Sequence, residues 1–124
     1  MKPTNVISIS LYNAEILNSN QRLHHQVKAH RASHIRGTAL FLAQAQRVAP
    51  MEKAHCYVWI SFNDRRRRDP NNYWETVKPA IDGIVDAGLL EDDDSKHLIG
   101  PDMRLDEINS TGQVIFRFEF FEVA

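Results

Sequence analysis

The chain has 124 residues, of which 43% are hydrophobic and 25% are charged, and its formal net charge is −1. These values are typical of one globular domain and exclude a disordered or collagen-like chain. The single cysteine, Cys56, excludes an intrachain disulfide and a zinc site built from several cysteines. No apolar run approaches the ~18 residues of a membrane-spanning helix, and residues 1–5 do not lead into a signal-peptide core. We therefore expect a cytoplasmic protein with no membrane partner.

The small net charge hides an uneven distribution along the chain. Residues 1–68 carry eleven Lys and Arg against three acidic side chains, a formal charge of +8. Residues 69–124 carry four basic and thirteen acidic side chains, a formal charge of −9. This asymmetry indicates a polyanion-binding surface beside a cluster of carboxylates, unless the fold mixes the two halves and their charges cancel.

The first half of the chain predicts a strand, a helix and a second strand. Residues 5–11 alternate between apolar and polar side chains, which is typical of a strand. Residues 12–24 are polar and predict a loop, and a helix is expected over about 25–49, where Pro50 ends it. Residues 55–62 are rich in β-branched and aromatic side chains and predict the second strand.

The second half predicts one more helix and two more strands. Asp69 is expected to be the N-cap of a helix over 70–87. Strands are expected over 97–108 and 113–123, and the sequence of residues 109–112 resembles a hairpin turn between them.

The order β-α-β-α-β-β predicts a single α/β (α+β) domain over residues 1–124, with a mixed sheet and two main helices. Cys56, Trp59 and Trp74 are expected in its core. The alternating phenylalanines of the last strand are expected in the core or in a dimer interface; they are Phe116, Phe118 and Phe120.

Polar side chains recur at helical spacing along one edge of the second predicted helix: Asn71, Glu75, Lys78, Asp82 and Asp86. The acidic run Asp92–Asp94 follows this helix. Clustered carboxylates with one lysine suit metal-assisted hydrolysis of a phosphodiester, because Mg²⁺ prefers oxygen ligands and a lysine stabilises developing negative charge. Each piece has an alternative interpretation: Asp69 as an N-cap, Lys78–Asp82 as a surface ion pair, and the acidic run as a solvated turn.

A longer motif contains these residues. It comprises Asp64-Arg65-Arg66-Arg67-Arg68-Asp69, Asn72, Lys78-x-x-x-Asp82, Ala87-Gly88 and Asp92-Asp93. This motif resembles the RusA family of Holliday junction resolvases, which are often prophage-encoded, and it covers about a quarter of the chain. Upstream, Ser19-Asn20-Gln21-Arg22 is similar to the DNA-contacting loop of that family.

The resemblance implies a homodimeric endodeoxyribonuclease that cuts two symmetric strands of a four-way DNA junction in recombination and repair. It implies Mg²⁺ as cofactor, with Mn²⁺ as a substitute, and no small-molecule cofactor. The implied metal ligands are Asp69, Asp92 and Asp93, and the implied catalytic residues are Asp69, Lys78 and Asp93. The implied DNA-binding residues are Ser19, Asn20, Arg22, Arg65, Arg66, Arg67, Arg68 and Asn72.

One position departs from the family pattern. Asn71 stands where the family has a second carboxylate, and three additional residues separate this segment from Lys78. Because an amide brings no negative charge, we hypothesise that Asp82 or Glu75 supplies the missing metal ligand and catalytic carboxylate. The alternative is a branched-DNA-binding protein of the same fold with impaired catalysis or a different specificity.

Overall fold

Four strands and two long helices follow one another in the predicted order in the computed structural model, which describes residues 1–124. They are β1 (Asn5–Leu11), α1 (His25–Gln46), β2 (Ala54–Ser61), α2 (Trp74–Asp86), β3 (Leu98–Leu105) and β4 (Val114–Glu122). Two short 3-10 turns, Asn13–Glu15 and Pro70–Tyr73, lie in the loops before α1 and α2. The mixed α/β class and the element order predicted from the sequence are therefore confirmed.

The strands form one mixed sheet in the order β1-β4-β2-β3. β4 lies antiparallel between β1 and β2, so that Phe118 is opposite both Ile7 and Val58. β3 is the edge strand and runs parallel to β2. The predicted hairpin between β3 and β4 is wrong, because β2 lies between these two strands and residues 109–112 join strands that are not neighbours.

One face of the sheet packs against both helices and forms the only core. Alternate residues of β4, including all three predicted phenylalanines, are fully buried there, as is Cys56 of β2. Ile35 and Ala39 of α1 and Ile81 of α2 close the core from the other side. This arrangement is the two-layer packing expected when a sheet and an amphipathic helix each bury one face.

The tryptophans do not lie in this core, contrary to expectation. Trp74 begins α2 and remains 43% exposed. Trp59 points to the opposite face of the sheet, where it is half-buried and its indole N–H donates to Glu119 Oε1 at 2.8 Å. Strand alternation explains Trp59, because Val58 and Ile60 take the inward positions on either side of it.

The two helices cross at very close range, and this contact fixes where α2 presents its polar edge. Gly83 of α2 lies against the backbone of α1. A Cβ atom placed on Gly83 would lie 2.2 Å from the carbonyl oxygen of Arg36 and 2.9 Å from the amide nitrogen of Leu40. Only glycine fits such an approach, and the preceding residue, Asp82, is thereby held beside Arg36 at 4.0 Å.

The predicted helix ends are corrected by local backbone geometry. α1 ends at Gln46 because Arg47 adopts a left-handed conformation (φ 57°), and its N–H bonds back to the carbonyls of Ala43 and Gln44. Asp69 does act as a cap, although the turn that it caps is the 3-10 turn before α2. Neither helix combines the length and hydrophobicity that crossing a bilayer requires.

Candidate functional site

The centre of the candidate site is a lysine held between two carboxylates. Lys78 Nζ donates to Asp82 Oδ1 and to Asp93 Oδ2, each at 2.5 Å. Lys78 and Asp82 lie one helical turn apart on α2, and Asp93 belongs to the turn that follows the helix. The three side chains are 42%, 24% and 23% exposed, so a ligand in solvent can reach the cluster.

The electrostatics of this cluster shift the pKa values of Asp93 and Lys78 in opposite directions. The hydrogen bond from Lys78 lowers the pKa of Asp93, and this effect outweighs the partial burial that raises it. Partial burial lowers the pKa of Lys78, but the hydrogen bonds to Asp82 and Asp93 outweigh it and the net pKa is raised. The lowered pKa keeps Asp93 ionised at neutral pH, and the raised pKa keeps Lys78 protonated there.

The acidic turn after α2 is ordered by its own hydrogen bonds. Asp92 Oδ1 accepts from the Asp93 N–H at 2.7 Å, which leaves the exposed Asp92 carboxylate beside the cluster. Asp94 instead binds the His97 ring, whose Nδ1 lies 2.5 Å from Asp94 Oδ1. Asp93 thus contacts the lysine and Asp92 contacts Asp93, whereas Asp94 is paired with His97.

Asp69 is not among the carboxylates that bind Lys78. Its Oδ1 accepts from the Asn71 N–H at 3.0 Å, and it stands nine positions before Lys78, roughly 14 Å along a helix axis. No group of three or more His, Cys, Asp or Glu side chains is arranged to hold a metal ion. The structure therefore brings Asp82 and Asp93 together and does not bring Asp69 to them.

The donor set near Lys78 fits a hard divalent cation. Mg²⁺ is usually bound by one or two carboxylates, with water and substrate phosphate completing its shell. Asp82 and Asp93 supply two such carboxylates, and Asp92 lies next to them. The hypothesis that Asp82 supplies the carboxylate that Asn71 lacks stays a prediction.

Five of the eight predicted DNA-binding residues line a separate groove of about 470 Å³ at the start of the α2 segment. Its lining includes Asn18, Asn20, Arg66, Arg67, Arg68, Asp69, Asn72 and Tyr73. A hydrogen bond of 2.8 Å from the Ser19 N–H to the Asn72 carbonyl joins the two predicted DNA-binding segments. Arg22 and Arg65 are exposed and lie outside the groove lining.

Two contributing residues were not expected from the sequence. Arg36 of α1 forms a bidentate ion pair with Asp86, at 2.7 and 2.9 Å, and lies 4.0 Å from Asp82. Asn18 folds the loop before α1 by accepting the Asn20 N–H at 2.9 Å. Neither has a sequence signal of its own: the partner of Arg36 is 50 residues away, and the loop residues form no motif beyond the Ser19–Arg22 match.

Comparison with models of known protein families finds no match for this chain, and comparison with curated proteins finds no significant similarity.

Proposed function

We propose that this protein is a Mg²⁺-dependent endodeoxyribonuclease that resolves four-way DNA junctions by paired symmetric cleavage, acting as a homodimer in the cytoplasm. The observation that carries the proposal is the position of Lys78 Nζ between the carboxylates of Asp82 and Asp93. The groove lined by Arg66, Arg67 and other polar side chains supports nucleic acid as the substrate.

The proposed reaction assigns each group a role. Asp82 and Asp93, assisted by Asp92, would hold Mg²⁺, or Mn²⁺ in its place. A cation held there would lower the pKa of a bound water molecule and neutralise charge on the phosphate. The Lys78 ammonium would donate hydrogen bonds to the phosphate oxygens as their negative charge grows.

The arginines and asparagines hold the substrate and take no part in the chemistry. Phosphate contacts from exposed arginines fix the register of the DNA and make its binding depend on salt. Asn20 and Asn72 line the same groove and present amides that hydrogen-bond to sugar or phosphate. Asp69 then serves the site by capping the turn that presents these residues.

The dimer is expected to form through the face of the sheet that no helix covers. Tyr57, Trp59 and Phe121 are half-buried on this face, and the guanidinium of Arg104 lies 5.3 Å from the Tyr57 ring. The face also carries the carboxylate of Glu119, so it presents both signs of charge. A two-fold contact places a surface against itself and needs such self-complementarity.

Analytical ultracentrifugation of Phe121→Glu tests this interface. The substitution places like charges opposite each other across the two-fold axis, so the variant should sediment as a monomer where the wild type sediments as a dimer.

Cleavage of a synthetic four-way junction in Mg²⁺ tests the proposed reaction. Lys78→Met should slow cleavage about hundredfold, because it removes one donor aimed at developing charge, while junction binding changes little. Lys96→Met is the matched control: it removes an exposed lysine near the same acidic turn and should cut at the wild-type rate. Equal rates for Lys78→Met and the wild type would contradict the assigned role.

The alternative is a branched-DNA-binding protein with impaired catalysis. The observation that favours it is that only two carboxylates gather at the lysine and Asp69 stays apart. It predicts salt-dependent junction binding of equal strength in Mg²⁺ and Ca²⁺ and no nicking in either. Asp69→Asn and Asp93→Asn distinguish the two functions further. If the protein is the proposed nuclease, Asp93→Asn abolishes cleavage, whereas Asp69→Asn mainly weakens DNA binding.

A further inference from the structure

The four consecutive arginines of the loop after β2 are not equivalent. Arg65, Arg66 and Arg67 are exposed, and the Arg66 side chain is 78% accessible. The Arg68 side chain is only 18% accessible because it folds back onto its own loop. Its guanidinium carbon lies 4.2 Å from the centre of the Phe62 ring, a cation–π contact with a residue at the edge of the core.

Arg68 is fixed in this position chiefly by Asp64. Arg68 Nη1 donates to Asp64 Oδ1 at 2.8 Å and to the backbone carbonyls of Asp64 and Arg66 at 3.3 Å. The same Asp64 oxygen accepts the Arg66 N–H at 3.0 Å. One carboxylate oxygen therefore ties together both the side chain of Arg68 and the backbone of Arg66.

A carboxylate in this loop is unexpected if the loop only attracts DNA. Asp64 is half exposed, next to the phosphate-binding arginines, and its charge opposes the approach of a polyanion. Four adjacent guanidinium groups also repel one another, so without an internal anchor the loop would sample many conformations. The hydrogen bond from Arg68 lowers the pKa of Asp64, which keeps the carboxylate charged at neutral pH.

We propose that Asp64 and Arg68 are positioning residues that hold the loop in the shape that presents Arg66 and Arg67 to the DNA backbone. This inference rests on the proposed DNA-binding function. Asp64 contributes to affinity although its own charge repels the substrate, and Arg68 contributes through the loop and not through a phosphate of its own.

The sign of the effect of Asp64→Asn on junction binding distinguishes positioning from simple electrostatics. If only charge matters, removing this carboxylate strengthens binding. If it positions the arginines, Asp64→Asn weakens binding about tenfold, because a charge-assisted bond that preorganises the contacts is lost. Glu52→Gln is the matched control; it removes an exposed carboxylate of the same basic half and should bind as well as the wild type or slightly better.

Arg68→Lys provides the second arm, because it keeps the charge but cannot bridge a carboxylate and two carbonyls. It should weaken binding as much as Asp64→Asn does, and the double variant should be no weaker than either single one. Arg47→Lys, an exposed arginine at the end of α1, controls for the exchange of arginine for lysine. Additive losses, or stronger or unchanged binding by Asp64→Asn, would overturn the proposal.

Hydrogen exchange at the Arg66 amide makes the test independent of DNA. This amide should exchange faster in Asp64→Asn and in Arg68→Lys than in the wild type, while strand amides stay protected. Unchanged exchange would refute the positioning role by itself. Absence of salt-dependent junction binding by the wild type would instead refute the proposed function and leave the exchange result to decide this inference.

Discussion

Gly83→Ala should destabilise the protein strongly, although alanine is the better helix former. The added methyl would lie 2.2 Å from the Arg36 carbonyl oxygen and 2.9 Å from both the Leu40 amide nitrogen and the Ala39 Cβ. Two of these three atoms are backbone, so the contact is relieved only if the helices separate. Overpacking of this kind lowers the free energy of unfolding by about 1–3 kcal/mol or more. The higher helix propensity of alanine raises it by about 1 kcal/mol. Because the clash is unusually short, we expect a net loss of about 2 kcal/mol.

Urea denaturation followed by far-UV circular dichroism measures this loss. Gly37→Ala is the matched control, because Gly37 also lies inside a helix, α1, and its added methyl would meet no atom within 4 Å. That variant should gain about 1 kcal/mol in the free energy of unfolding. Separation of the helices should also displace Asp82, so on the proposed function Gly83→Ala should lose cleavage beyond its loss of stability. If Gly83→Ala is as stable as the wild type, the close helix contact inferred here is wrong.

Two further predictions concern pH and thiol reactivity. The hydrogen bond from Arg36 lowers the pKa of Asp86, and it outweighs the partial burial that raises this pKa. The ion pair therefore stabilises the folded protein at pH values above about 3.9, the pKa of an aspartate in the unfolded chain. This stabilisation is lost as the pH falls through the lower pKa that Asp86 has in the folded protein. The difference in unfolding free energy between the wild type and Asp86→Asn should therefore be constant from pH 5 to about 7 and shrink near pH 3; a constant difference down to pH 2 would contradict it. Burial raises the pKa of the Cys56 thiol well above its usual range, so a thiol reagent should label Cys56 only as fast as the protein opens and immediately in denaturant. Rapid labelling of the native protein would show that β2 is not enclosed.

The sequence predicted every long element, and the signal was clearest where a local period is strong. The phenylalanines of β4 alternate strictly, whereas α1 ends at Gln46, before Pro50, because Arg47 is left-handed. Sheet order has no such local signal. Residues 109–112 have hairpin composition, yet β3 pairs with β2, because pairing is decided by which hydrophobic faces meet in three dimensions.

The candidate site was predictable where its residues are helical neighbours or belong to one motif. Lys78 and Asp82 follow from i,i+4 spacing, and the turn after α2 brings Asp93 to them. The placement of Asp69 in the same ligand set came from the motif, and the length of the intervening helix separates it from Lys78. Arg36 was missed because only tertiary packing brings α1 beside α2.

One of the two interior strands of the sheet, β4, is the last of the four to be synthesised. β4 pairs with β1 on one side and β2 on the other, and its three buried phenylalanines fill the core. Until it leaves the ribosome, β1 and β2 expose unpaired edges and the helices have no complete surface to pack on. Closing β1 onto β4 requires a loop of more than a hundred residues, as in the hydrogen bond from the Thr4 N–H to the Phe120 carbonyl. A nascent chain shortened before β4 should consequently be a substrate for chaperones and proteases.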